Sequence, residues 1–419
     1  MAVNLIQFEA VVELLRRILP GDHPADAILS GYFREHRKLG ARDRGQIAET
    51  VFMTLRRLAF LSHIAGGKPR RLAVAALIKL RGISPKELAD FLTEEESRWA
   101  QTVKGIQNEL DLADRAELPH WAVEMLQAAG QSEEAILALG QGMQKAAPLD
   151  IRVNTLKGKR DDVLAQLLEE GFEGSATPYS PFGIRLIGKP AINRHTLFEK
   201  GVIEVQDEGS QILGMLLAPR RGEMVVDFCA GAGGKTLLLG ALMQSSGRLY
   251  AFDVSEKRLA NFKPRMARSG LSNVNSQRIE HERDTRIKRL AKKIDRVLVD
   301  APCSGLGTLR RNPDLKIRQT AEALEELNRL QANILASAAT LVKAGGRLVY
   351  ATCSILPAEN EAIVEAFLAA HPAFELVPVN SILAEQRIDL EMDGDYLKLM
   401  PHAHGTDGFF AAVLRHRKD

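Results

Sequence analysis

Hydrophobic residues in the first third of the chain recur at three- and four-residue steps, which is the spacing of amphipathic helices. Residues 4–19 show this pattern most clearly, and Pro and Gly separate the segments that follow. The pattern predicts helices over 4–19, 24–36, 42–65, 70–81 and 85–93. Because strand-like alternation is scarce before residue 150, we predict a helical first domain over residues 1–143.

The pattern then changes from helical to mixed. Two segments, 149–156 and 183–188, have the composition of strands, and residues 160–171 between them repeat like a helix that ends at a glycine. These segments predict a small α+β module over residues 144–200, which links the helical domain to the rest of the chain.

Beyond residue 200, short runs rich in β-branched residues alternate with helical patterns. This alternation is typical of βαβ units. It predicts an α/β domain over residues 201–419, with the parallel, doubly wound sheet of a Rossmann-like fold. The strand-like runs are 224–228, 248–253, 296–300 and 346–352, and residues 409–415 are expected to add a late strand.

The charge balance permits nucleic-acid binding but does not demonstrate it. The chain has 56 Lys and Arg against 53 Asp and Glu, a formal net charge of +3. Basic residues cluster between positions 34 and 71, and again between 278 and 296, where acidic residues dilute them. Such clusters are usually solvated helix faces. Two clusters in separate domains also fit a long phosphate-bearing ligand.

The composition is that of a soluble globular protein, with 45% hydrophobic and 26% charged residues. No apolar run approaches the roughly 20 residues that span a bilayer. The first residues carry no basic leader. We therefore expect a cytoplasmic protein with no membrane partner, and we expect it to be a monomer.

The three cysteines, Cys229, Cys303 and Cys353, are few and odd in number, and they form no CxxC pair. This pattern argues against a disulfide framework and against a structural zinc site. His402 and His404 form an HxH pair, but Ala and Gly surround it and no third ligand accompanies it. We expect reduced thiols and no bound metal.

The segment MVVDFCAGAGGKT (224–236) joins a buried strand, a glycine-rich turn and the start of a helix. Glycines let the backbone approach a ligand closely, and a helix N-terminus favours anionic groups. A P-loop would need Gly at the position of Cys229, and a dinucleotide fingerprint would need Gly at the position of Thr236. The interpretation that remains is the S-adenosylmethionine loop of a class I methyltransferase.

Asp253 closes the second predicted strand of this domain. An acidic residue at that position can accept hydrogen bonds from both hydroxyls of a ribose. Sites for NAD and for S-adenosylmethionine share this feature. Asp253 therefore supports a nucleoside ligand without choosing between the two.

Two further motifs, DAPCSGLG (300–307) and ATCS (351–354), follow the next two predicted strands. Ligand chemistry in open α/β sheets takes place beyond the carboxyl ends of the strands. A free cysteine is usually a small buried hydrophobe. Here, however, all three cysteines of the chain fall at strand ends that face one crevice, which predicts a functional site.

At these motifs the chain resembles the Sun family of RNA cytosine-5 methyltransferases, and the resemblance runs nearly from end to end. Residues 28–58 resemble the NusB-like helical domain of that family, and LPHWAVEML with IRVNTLKGKRDDVLAQLLEEGF resembles its RNA-recognition module. Five further segments resemble the catalytic domain of that family: GVIEVQDEGSQI, DFCAGAGGKT, DAPCSGLGTLRRNPDLK, LVYATCSILPAENE and DGFF.

The resemblance implies methyl transfer from S-adenosylmethionine to carbon 5 of a cytosine, with Cys353 as the nucleophile that bonds covalently to the base. It also implies that Cys303 assists release of the product and that Asp300 contacts the base, which must be unpaired or flipped out. Lys235 is expected to favour the thiolate. The implied cofactor-binding residues are Cys229, Ala230, Gly231, Ala232, Gly233, Gly234, Lys235, Asp253, Glu280 and Asp300.

The chain departs from the family pattern in two places. The family loop is usually CAAPGGK, whereas Gly231 and Ala232 stand here in place of Ala-Pro, so the loop loses the fixed φ of proline. The family also has an acidic residue after the third strand, which is thought to hold the adenine amino group. Glu280 and Asp284 both fit that description, and we favour Glu280.

Two other functions stay open. A DNA cytosine-5 methyltransferase carries its nucleophile in a Pro-Cys motif, which would make Cys303 the nucleophile and leave ATCS unexplained. A non-catalytic RNA-binding factor would not need Cys303, Cys353, Asp300 and the glycine loop. The resemblance makes RNA the expected partner, with ribosomal RNA as the first expectation and tRNA as the second.

Overall fold

The structure, a computed structural model, describes residues 4–107 and 109–418. The chain forms two compact units. The first consists of the residues up to 146 together with 305–324 and 401–405, and the second consists of 147–304, 325–400 and the residues from 406 onward. Nothing in the hydrophobic pattern indicates that residues 305–324, which follow the DAPCS motif, fold with the helical residues.

Helices build the first unit, as the hydrophobic pattern predicts. Up to residue 146 they are α1 (Leu5–Ile18), α2 (Ala25–Glu35), α3 (Ala41–Arg56), α4 (Leu58–Ala65), α5 (Pro69–Lys79), α6 (Glu94–Val103), α7 (Leu112–Ala116), α8 (His120–Ala128) and α9 (Glu133–Gln144). The predicted helix over 42–65 is wrong as one element, because Arg57 has non-helical backbone angles (φ −113°, ψ 32°) and separates α3 from α4. The predicted helix over 85–93 is a 3₁₀ turn at Pro85–Phe91.

The second unit begins with a small antiparallel sheet. Its elements are β1 (Leu149–Val153), α10 (Arg160–Glu169), β2 (Gly174–Ala176), β3 (Gly183–Leu186), α11 (Thr196–Glu199) and β4 (Ile203–Val205). The strand order is β2-β3-β1-β4. Val163 and Leu167 of α10 are buried in one apolar cluster with Ile151 of β1 and Ile184 of β3, so the helix covers one face of the sheet.

The larger sheet has eight strands, flanked by helices. Its elements in chain order are α12 (Glu208–Leu216), β5 (Met224–Asp227), α13 (Gly234–Leu242), β6 (Arg248–Asp253), α14 (Glu256–Ser269), β7 (Val274–Arg278), α15 (Thr285–Lys288), β8 (Ile294–Asp300), α16 (Leu315–Arg318), α17 (Ala321–Ala339), β9 (Val342–Thr352), α18 (Glu361–Ala370), β10 (Phe374–Val377), α19 (Val379–Glu385), β11 (Leu397–Leu399), α20 (Pro401–His404) and β12 (Phe409–His416). Of these, α16 and α20 fold with the first unit.

The sheet confirms the predicted Rossmann-like class. Its order is β10-β12-β9-β8-β5-β6-β7, with β11 paired to β12. Strands β9, β8, β5, β6 and β7 are parallel, whereas the late strand β12 runs antiparallel to β9. The chain proceeds outward on one side of β5 and returns to β8 on the other, so a crevice opens beyond the carboxyl ends of β5 and β8. Across the described residues, no helix is both long and apolar enough to cross a membrane.

Candidate active site at the carboxyl edge of the sheet

A cavity of about 880 Å³ lies beyond the carboxyl ends of β5, β6, β8 and β9, within the range usual for small-molecule sites. It brings together almost all of the site residues that the sequence predicts. The predicted residues in its wall are Cys229, Ala230, Gly231, Ala232, Gly234, Lys235, Asp253, Glu280, Asp300, Cys303 and Cys353. Residues at or after the ends of five separate strands therefore share one space.

Gly233 has a different place in the same loop. Its φ of +82° lies in the left-handed region, and a Cβ atom there would lie 1.9 Å from Cδ2 of the Phe262 ring. Any side chain at this position would therefore collide with α14. Gly231 also has a positive φ, of +56°, but a Cβ atom there would meet no atom within 4 Å. Gly233 thus serves loop packing, whereas Gly231 borders open space.

Residues of the small antiparallel sheet help to hold the glycine-rich loop 229–234 in place. Arg152 of β1 donates a hydrogen bond to the Gly234 carbonyl (2.8 Å), and burial lowers the pKa of its guanidinium to about 10. Arg265 of α14 donates to the Ala232 carbonyl (2.7 Å) and is held by Glu204 of β4 (3.0 Å). These contacts fix the turn at two carbonyl oxygens. The role of Arg152 was missed from the sequence. The signal that could have indicated it is a charged residue at a buried position of the strand 149–153.

Two carboxylates face the loop from the ends of β5 and β6. Asp227 is 1% exposed, and its Oδ2 accepts a hydrogen bond from Thr236 Oγ1 (2.7 Å). Its Oδ1 is buried and has no hydrogen-bond partner among the residues that the structure describes. Burial raises the pKa of Asp227 to about 7. Asp253 accepts hydrogen bonds from the backbone N–H groups of Gly231 (2.8 Å) and Ser255 (2.7 Å).

Lys235 and Asp300 form an ion pair in the cavity wall. Nζ of Lys235 lies 2.7 Å from Oδ2 of Asp300. Burial alone would lower the pKa of Lys235, but the charge and the hydrogen bond of Asp300 outweigh it and raise that pKa, with smaller contributions from Cys353 and Asp227. The ammonium therefore keeps its proton, and its first partner is Asp300 rather than a thiolate.

The thiols of Cys303 and Cys353 meet although 50 residues separate them in the sequence. Their Sγ atoms are 3.4 Å apart, and both side chains are half-buried in the cavity wall. Cys229 lines the same cavity but has a different electrostatic setting. Burial and the carboxylates of Asp227, Asp300 and Asp253 raise the pKa of the Cys229 thiol well above its usual range. Cys229 is thus poorly suited to act as a thiolate nucleophile.

The two candidates for the adenine-side acid occupy different positions. Glu280 lies in the cavity wall. Asp284 caps α15 instead, since its Oδ1 accepts from the Arg286 N–H (2.8 Å) and its Oδ2 from the Glu280 N–H (3.1 Å). This arrangement supports the preference for Glu280, which stays a prediction.

Comparison with known proteins assigns this chain to a family. The model of the family described as "16S rRNA methyltransferase RsmB/F" matches residues 214–415, and that of the "Methyltr_RsmF/B-like, ferredoxin-like domain" matches residues 118–193. The probable ribosomal RNA small subunit methyltransferase B of Synechocystis sp. is 36% identical over 341 residues, which cover 80% of this chain and 75% of that relative. The chain belongs to the RsmB/F methyltransferase family.

Two other relatives agree with this assignment. The probable ribosomal RNA small subunit methyltransferase B of Bacillus subtilis is 34% identical, and the match covers 63% of this chain and 59% of that protein. The crystal structure of PH0851 is 27% identical with a TM-score of 0.81, and the alignment covers 99% of each chain. The likeness therefore includes the helical residues as well as the methyltransferase fold.

The RsmB/F family consists of S-adenosylmethionine-dependent RNA methyltransferases, and the residues of this cavity fit that cofactor. Asp227 offers a buried acceptor oxygen that has no partner in the described part of the chain. Asp253 offers a carboxylate at the end of β6, a position that commonly holds a ribose in Rossmann-like sites. The open space beside Gly231 lets a ligand approach the backbone. When bound, the cofactor supplies an electrophilic methyl group. Cys303 and Cys353 lie in the wall of the same cavity.

Replacement of Asp253 by alanine should weaken S-adenosylmethionine binding by about 1–3 kcal/mol, because hydrogen-bonding partners would be left unpaired. Calorimetric titration measures this directly. Glu256→Ala is the matched control, since Glu256 lies three residues away and its side chain is 84% exposed. Equal affinities for the Asp253→Ala and Glu256→Ala variants would show that the assigned ribose contact is wrong.

Proposed function

We propose that this RsmB/F protein methylates carbon 5 of a cytosine in RNA and that Cys353 forms a transient covalent bond to the base. The observation that carries the proposal is the 3.4 Å approach of the Cys303 and Cys353 thiols inside the cofactor cavity. A structural cysteine needs neither a second thiol beside it nor access to a ligand space.

The chemistry of cytosine explains why a thiol is needed. Carbon 5 is a poor nucleophile in the intact aromatic ring. Addition of the Cys353 thiolate at carbon 6 moves electron density to carbon 5, which then attacks the methyl group. The adduct regains its aromatic ring when the proton on carbon 5 leaves and the bond between carbon 6 and sulfur breaks, which returns Cys353 to its thiolate form.

Two thiols divide these steps between them. Cys353 follows β9, and Cys303 lies beside it on the loop after β8. We assign attack to Cys353 and assistance in product release to Cys303, in keeping with the family resemblance. A thiolate at Cys303 can take the proton from carbon 5, which is the step that must precede expulsion of Cys353.

We assign to Asp300 the role of holding the base. Its side chain is 31% exposed, and its Oδ2 is oriented by Lys235. Addition of a thiolate at carbon 6 makes the ring nitrogen N3 more basic, so that N3 takes a proton from water and returns it when the Cys353 thiolate is expelled. A carboxylate can accept a hydrogen bond from this N–H group and stabilise the adduct.

Exposed basic side chains beside the cavity suit a phosphate backbone. Glu280 and His281 line both the catalytic cavity and a neighbouring shallow surface around α15. The exposed cations on or next to that surface include Arg283, Arg286, Lys288, Arg289, Lys292 and Lys293. We propose that RNA runs over this surface with the target cytosine flipped into the cavity. The helical residues 1–143 and the module 144–200 are proposed to add phosphate contacts.

The relatives from Synechocystis sp. and Bacillus subtilis are described as probable ribosomal RNA small subunit methyltransferases. Small-subunit ribosomal RNA is therefore the proposed substrate, with tRNA as the alternative. Purified protein with radiolabelled S-adenosylmethionine should label this RNA and should leave DNA of the same sequence unlabelled. Nucleoside analysis of the RNA should show 5-methylcytidine. Labelled DNA, or a methyl group at another atom of the RNA, would overturn the proposal.

A further inference from the structure

A buried carboxylate, Glu359, lies beside the two cysteine loops and has no part in the reaction described above. It is 0% exposed and closes a short turn at Pro357–Glu359, after β9. Buried acids are costly unless their oxygens are satisfied. Its hydrogen-bond partners therefore indicate what this residue does.

Glu359 accepts four hydrogen bonds. Oε1 accepts from the backbone N–H of Ser304 (2.8 Å) and from Nε2 of Gln331 (2.9 Å). Oε2 accepts from the hydroxyl groups of Ser304 (2.5 Å) and Ser354. Ser304 and Ser354 directly follow Cys303 and Cys353 in the sequence, so one carboxylate bridges the loops that carry the two thiols.

Further hydrogen bonds hold the backbone of Glu359 and the residues around it. The hydroxyl group of Tyr350 donates to the Glu359 carbonyl (2.7 Å). The next residue, Asn360, donates to the Ser354 carbonyl (3.2 Å) and accepts from Thr352 Oγ1 (2.6 Å). Gln331 of α17 also donates to the Pro302 carbonyl (2.9 Å), which ties the loop after β8 to the same network. The loops after β8 and β9 are therefore fixed to one another through side chains.

We propose that Glu359 is a positioning residue that sets the distance between the Cys303 and Cys353 thiols. All four of its donors are neutral, so among the described residues no ion pair explains why a carboxyl side chain occupies this buried place. An ionised carboxylate is acceptor-only and can serve four donors at once. Apolar packing of the same volume would stabilise the fold at lower cost but could not join two loops. The catalytic consequence rests on the function proposed above.

Substitution of Glu359 separates this role from general destabilisation. Glu359→Ala removes the bridge. Glu359→Gln keeps one acceptor oxygen for the two N–H donors, and the two serine hydroxyls can rotate to accept from its amide, so it should retain much of the bridge. Glu365→Ala is the matched control, because Glu365 lies on α18 in the same part of the chain and is exposed.

The direct readout is the proximity of the thiols. Phenylarsine oxide condenses with two adjacent thiols, forming two As–S bonds and releasing one water molecule. Peptide mapping should find Cys303 and Cys353 bridged by arsenic in the wild type and in Glu365→Ala. The rate of bridging should be at least about tenfold lower in Glu359→Ala and intermediate in Glu359→Gln. The kcat for RNA methylation should fall roughly 10²-fold in Glu359→Ala, as expected when reacting groups are displaced. The Kd for S-adenosylmethionine should stay within about twofold.

The outcomes separate this proposal from the proposed function. Unchanged bridging rates in both Glu359 variants overturn the positioning role, even if kcat falls. Slower bridging with unchanged kcat also overturns it, since thiol spacing would then be irrelevant to the reaction. If Glu359→Ala does not fold, the Glu359→Gln variant decides by the same criteria. A wild-type protein that bridges arsenic but does not methylate RNA would contradict the proposed function, while the dependence of bridging on Glu359 could still be measured.

Discussion

Cys303→Ala is expected to leave the protein covalently attached to its RNA, whereas Cys353→Ala should form neither the adduct nor the methylated product. The reason is that covalent catalysis divides one difficult reaction into addition and elimination, and each thiol serves one half. Without Cys303, addition at carbon 6 and methyl transfer proceed but the proton on carbon 5 is not removed. A denaturing gel should show a protein–RNA band that persists for Cys303→Ala only.

Cys229→Ser is the control for this comparison. Cys229 lies in the same cavity, but burial and three nearby carboxylates raise the pKa of its thiol, so it should not be able to replace either cysteine as a thiolate. Its substitution should neither trap nor abolish the adduct. A band for Cys353→Ala and none for Cys303→Ala would make Cys303 the nucleophile, as in DNA cytosine-5 methyltransferases. Full activity in both alanine variants would mean that neither thiol is catalytic.

The second large effect is expected at the ion pair of Lys235 and Asp300. Asp300→Asn should lower kcat roughly 10²–10⁴-fold, the range usual for loss of a group that manages a proton in the transition state. Lys235→Met should have an effect of similar size, because it leaves a carboxylate in the cavity wall without its cation. The double variant should be only slightly worse than either single one, since the two residues act as a unit.

The loss of activity at high pH should begin at a lower pH when Asp300 is replaced. Asp300 raises the pKa of Lys235, so Lys235 stays charged to a higher pH than an ordinary lysine does. In Asp300→Asn, the charge of Asp300 no longer offsets the effect of burial on the pKa of Lys235. Lys235 should therefore lose its proton at lower pH than in the wild type. A pH–rate profile measures the shift. Identical alkaline limbs for the two proteins, or additive effects of the single substitutions, would show that the pair does not act as proposed.

The parts of this protein that the sequence predicts are those that local patterns encode. The turn MVVDFCAGAGGKT and the strand-end residues Asp253, Cys303 and Cys353 could be placed in one crevice because parallel strands end at a common edge. The break between α3 and α4 was not predicted, since the residues around Arg57 continue the helical spacing of apolar positions.

Long-range polar contacts could not be predicted in this way. Glu359 stands in the motif LVYATCSILPAENE, but no periodicity reveals that it accepts hydrogen bonds from a loop 55 residues earlier. Arg152 is one of two charged residues in the strand Leu149–Val153, and its partner Gly234 lies 82 residues away. Such contacts depend on how the elements pack, and spacing along the chain contains no information about them.

The segment that follows Cys303 shows the same limit. Residues 305–324 fold with the helical unit, where Lys316 Nζ pairs with the buried carboxylate of Glu117 (2.9 Å) and Asp314 accepts from the Ala25 N–H (3.2 Å). A chain that lacks residues 1–143 would leave Lys316 without Glu117, and Asp314 would keep only its ion pair with Arg318. The helical residues thus do more than offer basic charge, because they complete the fold of the segment that begins two residues after Cys303.

The most direct test of the account is to map the covalent bond itself. In RNA whose target cytosine carries fluorine on carbon 5, the methylated adduct has no proton to lose, so the bond between protein and base should persist. After digestion with trypsin and nuclease, mass spectrometry should find the modified nucleotide, with one added methyl group, on the peptide 348–387 that contains Cys353. Attachment to the peptide 297–310 that contains Cys303, or no attachment to either peptide, would contradict the account.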